Sequence, residues 1–222
     1  EAAINRAVKL AMENGATLTI MDVVKPIPRA LGVITDAVET EEFQRLVGQD
    51  HREKLLAIAS DYLDTGVSID VLVGSGDPAT EIVRQVLSQG HDLVIKAVNG
   101  DAQPGRLFGS ISRSLLRICP CPVWLLKPEI HGDFDVVLAA IDTEDKDDVH
   151  TSLNHQILDL AHLVAERENA QLHIVTAWDL WMEKSLRRRA GDAEVDIAMS
   201  THEDHVHQRL DELLRPFTEK YE

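Results

Sequence analysis

Apolar positions along this chain follow two alternating periods, one helical and one extended. Residues 2–14 place Ala3, Ala7, Leu10 and Ala11 on one side of a predicted helix that Asn14-Gly15 closes. Residues 16–24 read as a strand, and Pro26 and Pro28 mark a loop. From about residue 35 to residue 62 the spacing is helical, with Phe43, Leu46, Val47, Leu55, Leu56 and Ile58 as the expected apolar stripe. Thr65-Gly66 breaks the pattern, and 67–73 alternates as a strand. Asp77 is then a predicted N-cap and Pro78 a first-turn proline of a helix running to Gln89, where Gly90 closes it. The near-continuous apolar run of 92–98 predicts a strand buried on both faces.

After a loop at 99–108, twenty residues compress several signals. Gly109 supplies backbone freedom for a sharp bend, and Ser110 is expected to cap the N–H groups of the next turn. Ile111, Leu115 and Ile118 recur at helical spacing, Pro120 and Pro122 stop the helix, and 123–126 is a short apolar strand. A helix opened by Gly-Ser suits an anion, but on residues alone an ordinary capped helix is the favoured reading.

Further along, 133–141 reads as a strand ending before Asp142, a helix covers about 153–168, and another strand follows from Asn169. Strands separated by helices imply crossovers and a mainly parallel sheet. Asn169-Ala-Gln-Leu-His-Ile echoes Gly15-Ala-Thr-Leu-Thr-Ile, each directly after a helix, and Ala170 lies 154 residues beyond Ala16. A period near one domain length points to a tandem array, with domains expected at 1–129 and 130–222. In that register the strand at 133–141 has a counterpart expected before residue 1.

Composition narrows the function classes. Among 222 residues, 44% are hydrophobic, enough for a core, and the net charge of −16 disfavours unspecific binding to nucleic acid or to an anionic membrane. No apolar run approaches a membrane span, and no signal-peptide pattern is present. Cys119 and Cys121 are too close for an easy disulfide and too few for zinc, and are expected as core thiols in a reducing compartment.

Gly76-Asp77-Pro78-Ala79 with Glu81-Ile82, His91-Asp92-Leu93-Val94-Ile95-Lys96, Leu116-Arg117 with Cys119-Pro120, and Pro122-Val123-Trp124-Leu125-Leu126-Lys127 occur in a telling order. In this order the chain resembles the universal stress protein family, most closely its tandem E-type members. The resemblance implies a three-layer α/β/α fold like that of the adenine nucleotide alpha hydrolases, with a mainly parallel five-stranded sheet whose first strand is central. A sheet lacking its centre would expose two long edges. The 222 residues are therefore expected to be incomplete at both ends, the second domain lacking its C-terminal half, or another segment fills the gap.

The resemblance also bears on ligands. ATP-binding members carry Gly-x2-Gly-x9-Gly-Ser/Thr, whose glycines let phosphates approach the backbone. Counting back from Gly109, the earlier glycine positions are Asn99 and Lys96, and only Gly109-Ser110 matches. The first domain is thus expected to bind ATP weakly or not at all. Lys96 reads chiefly as a strand-end residue with its ammonium in solvent, and secondly as a charge offered to an anion. On the adenosine side the family positions fall on Asp142 and Ala177 in the second domain and on Val23 in the first, near the carboxyl ends of strands. A solvated acidic turn is an equal reading of Asp142. The last strand of the family commonly mediates dimers, which implies intramolecular domain pairing or a homodimer through 123–126.

His202 and His205 share a helical face, which makes a pair and not a metal site, and Arg187, Arg188 and Arg189 read as a solvated face. No nucleophile or paired-carboxylate arrangement argues for catalysis. The favoured reading is a cytoplasmic stress-response protein acting by ligand or partner binding without turnover. An ATP- or AMP-binding protein with slow hydrolysis at a second-domain site is the alternative, and a structural dimerisation module is a third.

Overall fold

The computed structural model describes residues 2–26, 37–98, 109–127, 134–144 and 147–221. They divide into two compact units, 1–131 and 132–222. In the first, α1 (Ala2–Asn14) leads to β1 (Leu18–Val24), α2 (Ala37–Ser60), a short 3₁₀ turn (Leu63–Thr65), β2 (Ile69–Ser75), α3 (Pro78–Gln89), β3 (Val94–Ala97), α4 (Ser110–Ile118) and β4 (Val123–Leu126). β1 pairs with β2 in parallel from Leu18↔Ile69 to Val24↔Ser75, and β3 pairs with β4 from Val94↔Val123 to Ala97↔Leu126. Parallel pairing needs a crossover, and the intervening helices supply it. The described strands form two-stranded parallel sheets and not the expected five-stranded one, because no ladder joins β1 to β3. Instead α1 packs against both strands, and His91, just before β3, meets Thr19 Oγ1 on β1 at 3.2 Å.

Local chemistry accounts for α3. Asp77 accepts from the Thr80 N–H at 3.0 Å, Pro78 needs no donor in the first turn, and Gly90 takes the left-handed C-cap at φ +70°. The expected stripe of α2 is corrected. Phe43, Leu46 and Leu56 are 58%, 49% and 48% exposed, while Gln44, Val47, His51, Leu55 and Ile58 turn inward at helical spacing. Val47, Leu55 and Ile58 of the expected stripe do face inward, with Gln44 and His51 between them, so counting apolar residues recovers half of the stripe and misses its polar members.

In α4 the inward positions are Ile111, Ser112 and Leu115, and Ile118 is exposed. Ser110 does not cap the helix, since it is the first helical residue. Gly109 is the N-cap with no side-chain acceptor, at φ −65° and ψ 169°, where any residue fits and an added Cβ would meet open space. Cys119 and Cys121 are free and half-exposed instead of core thiols, because the Pro-bounded turn between α4 and β4 runs along the surface.

The second unit contains β5 (Val136–Ala140), α5 (Asp148–Glu168), β6 (Gln171–Val175), α6 (Glu183–Ala190) and α7 (Asp192–Tyr221). β5 and β6 pair in parallel from Val136↔Gln171 to Ala140↔Val175, with alternate residues inward. Ala139, Ile141, Leu158, Ala161 and Leu213 make the core. Lys220 Nζ meets Asp159 at 2.9 Å and Arg209 Nη2 donates to Thr151 Oγ1 at 3.2 Å, so α7 runs in the same direction as α5.

Candidate functional site

Of the residues expected to serve the first unit, Val23 and Lys96 stand toward the ends of β1 and β3, and Gly109 and Ser110 open α4. Asn99 lies outside the described residues. Lys96 is half-buried, and its ammonium donates to the Ala97 carbonyl at 2.8 Å instead of standing in solvent. Burial lowers its pKa from the ordinary lysine value. Gly109 and Ser110 are exposed. The four residues belong to separate strand pairs and a separate helix.

An unforeseen pair lies beside Val23. Asp22 Oδ2 and His51 Nδ1 share a hydrogen bond at 2.6 Å, and Asp22 Oδ1 accepts the Val23 N–H at 2.8 Å. The His51 bond chiefly holds the Asp22 carboxyl below its usual range, the Val23 N–H adds to this, and burial opposes it. A carboxylate whose folded pKa is depressed stabilises the fold above its unfolded value and ceases to do so as pH falls through the folded one. Both side chains are over a third or nearly a third exposed, so solvent screens the pair. Asp22→Asn is expected to lower stability near neutrality by under about 1 kcal/mol. In urea unfolding that gap should close as the pH drops below about 3.9; a gap unchanged with pH would remove the carboxylate as its source.

A shallow cavity of about 280 Å³ opens between α2 and the end of β2, lined by Arg45, Gly48, Gln49 and Arg52 with Val73 and Ser75 among others. Its guanidinium groups are engaged: Arg52 Nη1 donates to the Val71 carbonyl at 3.0 Å, and Arg45 pairs with Glu42. None of the expected site residues lines it.

The second unit brings its expected residues closer to a common place, the carboxyl ends of β5 and β6. Asp142 follows β5, and Ala177 follows β6 by two residues. Asn154, buried on α5, clamps the backbone of Asp142: its Oδ1 accepts the Asp142 N–H at 3.1 Å and its Nδ2 donates to the Asp142 carbonyl at 2.5 Å. Asp142 Oδ1 accepts the Glu144 N–H at 2.8 Å, an Asx turn that aims the loop. Thr143 is buried, and its hydroxyl bonds that of Thr176 at 3.0 Å, joining the two strand ends. Asn154, Thr143 and Thr176 were not foreseen. The available signal was Asn154 itself, a polar residue in register with Leu158, Ala161 and Ala165 on the buried stripe of α5.

Elsewhere in this unit the His202 ring meets Trp178 edge-on at 5.1 Å, while His205 and His207 are exposed. Among the described residues no group of three or more His, Cys, Asp or Glu side chains is placed to hold a metal ion. Arg187 is tied to Glu183, Asp192 and Asp196 at 2.8, 3.3 and 2.8 Å, and Arg188 and Arg189 are exposed. The described helices include none long and apolar enough to cross a membrane.

The universal stress protein family model matches residues 1–127. The chain belongs to the universal stress protein family. Among relatives of this family, universal stress protein E of Photorhabdus laumondii is 26% identical over 180 residues, 79% of this chain and 57% of that protein. Universal stress protein E of Escherichia coli K12 is 32% identical over 120 residues, 53% of this chain and 38% of that protein. The chain thus spans little more than half the length of the first relative and less of the second. Among solved structures, a functionally unknown protein of Pseudomonas aeruginosa PAO1 superposes with a TM-score of 0.60 at 20% identity, covering 92% of this chain and 64% of the other. A universal stress protein from Archaeoglobus fulgidus gives 0.55 at 18% identity, covering 85% and 68%. These likenesses show the α/β fold of the family.

Proposed function

We propose that this chain acts as a stress-response member of the universal stress protein family by binding a small ligand or a partner, without turning over ATP in its first unit. Lys96 carries this reading. A phosphate approaches a backbone closely where no side chain intervenes. Here the first glycine position of the family loop bears a four-carbon amine folded onto the next carbonyl. The tandem arrangement and a cytoplasmic setting belong to the same proposal, the former supported by the echo of 15–20 at 169–174. Pairing through β4, within one chain or between two copies, is the corresponding proposal for assembly.

The clamped turn at Asp142 favours a second reading, an adenine nucleotide site in the second unit with slow ATP hydrolysis. Asn154 fixes the backbone of Asp142 at a strand end, where open parallel sheets take ligands. Calorimetric titration of the chain with ATP and with AMP, followed by a phosphate-release assay, decides between them. Weak or absent binding with no phosphate release is the expected result. Saturable ATP binding with phosphate release, abolished by Asp142→Ala, would establish the second reading instead.

A further inference from the structure

Cys119 and Cys121 are the only two cysteines of the chain, and one proline separates them. Their sulfurs lie 3.7 Å apart in hydrogen-bond contact, both residues half-exposed. Cys119 is the C-cap of α4, its N–H donating to the Leu115 carbonyl at 2.9 Å. Cys121 leads into β4, where the neighbouring Pro122 carbonyl accepts the Val94 N–H at 3.0 Å. Helix end and strand start are thus both anchored, and Pro120 and Pro122 fix the backbone φ on either side of Cys121. Two residues apart, the thiols would close a ring too small to form easily from an unordered chain, but the anchored turn already holds their sulfurs 3.7 Å apart, so little conformational freedom remains to be lost on joining them.

We propose that Cys119 and Cys121 form a thiol–disulfide exchange site that takes low-molecular-weight disulfides as its oxidant. Cys119 Sγ, as thiolate, attacks one sulfur of the oxidant, forming a mixed disulfide and expelling a thiolate that picks up a proton. Cys121 Sγ loses its proton, attacks the Cys119 sulfur and expels the second thiol. The cysteine pair is oxidised by two electrons, and the oxidant is reduced to two thiols. Reaching a disulfide requires the sulfurs to close from 3.7 Å to about 2.0 Å. Burial first, then the hydrogen bond and charge of Cys119 and the nearby charge of Asp92, push the Cys121 thiol up to about 11. That places Cys121 second in the sequence, since thiolates are the attacking species. The bridge would tie the C-cap of α4 to the turn two residues before β4, at the end of α4 opposite Gly109-Ser110.

The whole chain, reduced and then equilibrated in glutathione–glutathione disulfide mixtures, is quenched with N-ethylmaleimide and weighed intact. Maleimide labels should fall from two per chain to none, with the loss of two hydrogens and full reversal by dithiothreitol. Cleavage after Arg117 leaves both cysteines in one peptide, so an internal bridge is read from its mass. Cys119→Ser and Cys121→Ser should each stop at a glutathione adduct on the remaining thiol. Two labels persisting across the mixtures, a stable glutathione adduct on the unmodified pair, or a disulfide-linked dimer would each overturn the proposal.

Discussion

Leu115→Ala is expected to destabilise the first unit by about 2–5 kcal/mol, the usual cost of emptying a fully enclosed leucine site. Leu115 is 0% exposed, and α4 is only nine residues long with Ser112 as its other buried position. Isolated helices of that length are marginal in water, so α4 persists through packing on α3 and β4. Its first turn has no side-chain cap, which leaves local stabilisation thin. The substitution should therefore raise hydrogen exchange over 110–126 before it affects β1 and β2. Exchange at wild-type rates, with a stability loss below about 1 kcal/mol, would mean that Leu115 does not anchor the helix.

Asn154→Leu is the counterpart in the second unit, with an expected loss of about 2–4 kcal/mol. It deletes both partners of the part-buried Asp142 backbone, and a polar group left unpaired away from water costs about 1–3 kcal/mol, the lower end applying here because Asp142 itself is exposed. Asn154→Asp serves as the control, because it retains an acceptor for the Asp142 N–H while setting an acceptor against its carbonyl. Urea unfolding combined with exchange at 136–142 measures both. If Leu is tolerated as well as Asn, the clamp contributes nothing to holding the turn.

What was legible in the sequence was what is decided locally. Asp77, Pro78 and Gly90 delimit α3 because a cap, a first-turn proline and a left-handed terminus each act within a turn of their own residue. The short strand 123–126 was readable for a similar reason, bounded as it is by prolines and a helix end. The buried side of α2 was only half readable, through Val47, Leu55 and Ile58. His51 lies on that inward face because its partner Asp22 is 29 residues earlier, on β1, and no spacing rule within a helix reports that. The same holds for Asn154, whose partner at Asp142 is 12 residues away across a turn. At Gly109 the residue type suggested an unusual backbone, but φ −65° asks for none. Family motifs located the strand-end positions, while the polar residues that brace them are specified by tertiary contacts.

Arg187 stands where α6 meets α7, around Gly191 at φ +102°, with carboxylates of Glu183, Asp192 and Asp196 gathered about one guanidinium. Remove the attraction and three like charges remain side by side in a chain of net charge −16. Ionic strength acts on that arrangement directly, since the screening length shrinks from about 10 Å at 0.1 M to about 3 Å at 1 M. Screening is therefore expected to weaken the three contacts, each of which joins Arg187 to a carboxylate that is 40% exposed or more. Leu213, farther along α7, sits in the apolar core with Leu158, where there is no ion pair to screen. One helix thus carries a salt-sensitive corner beside Val195, buried in its first turn, and an apolar seat farther along.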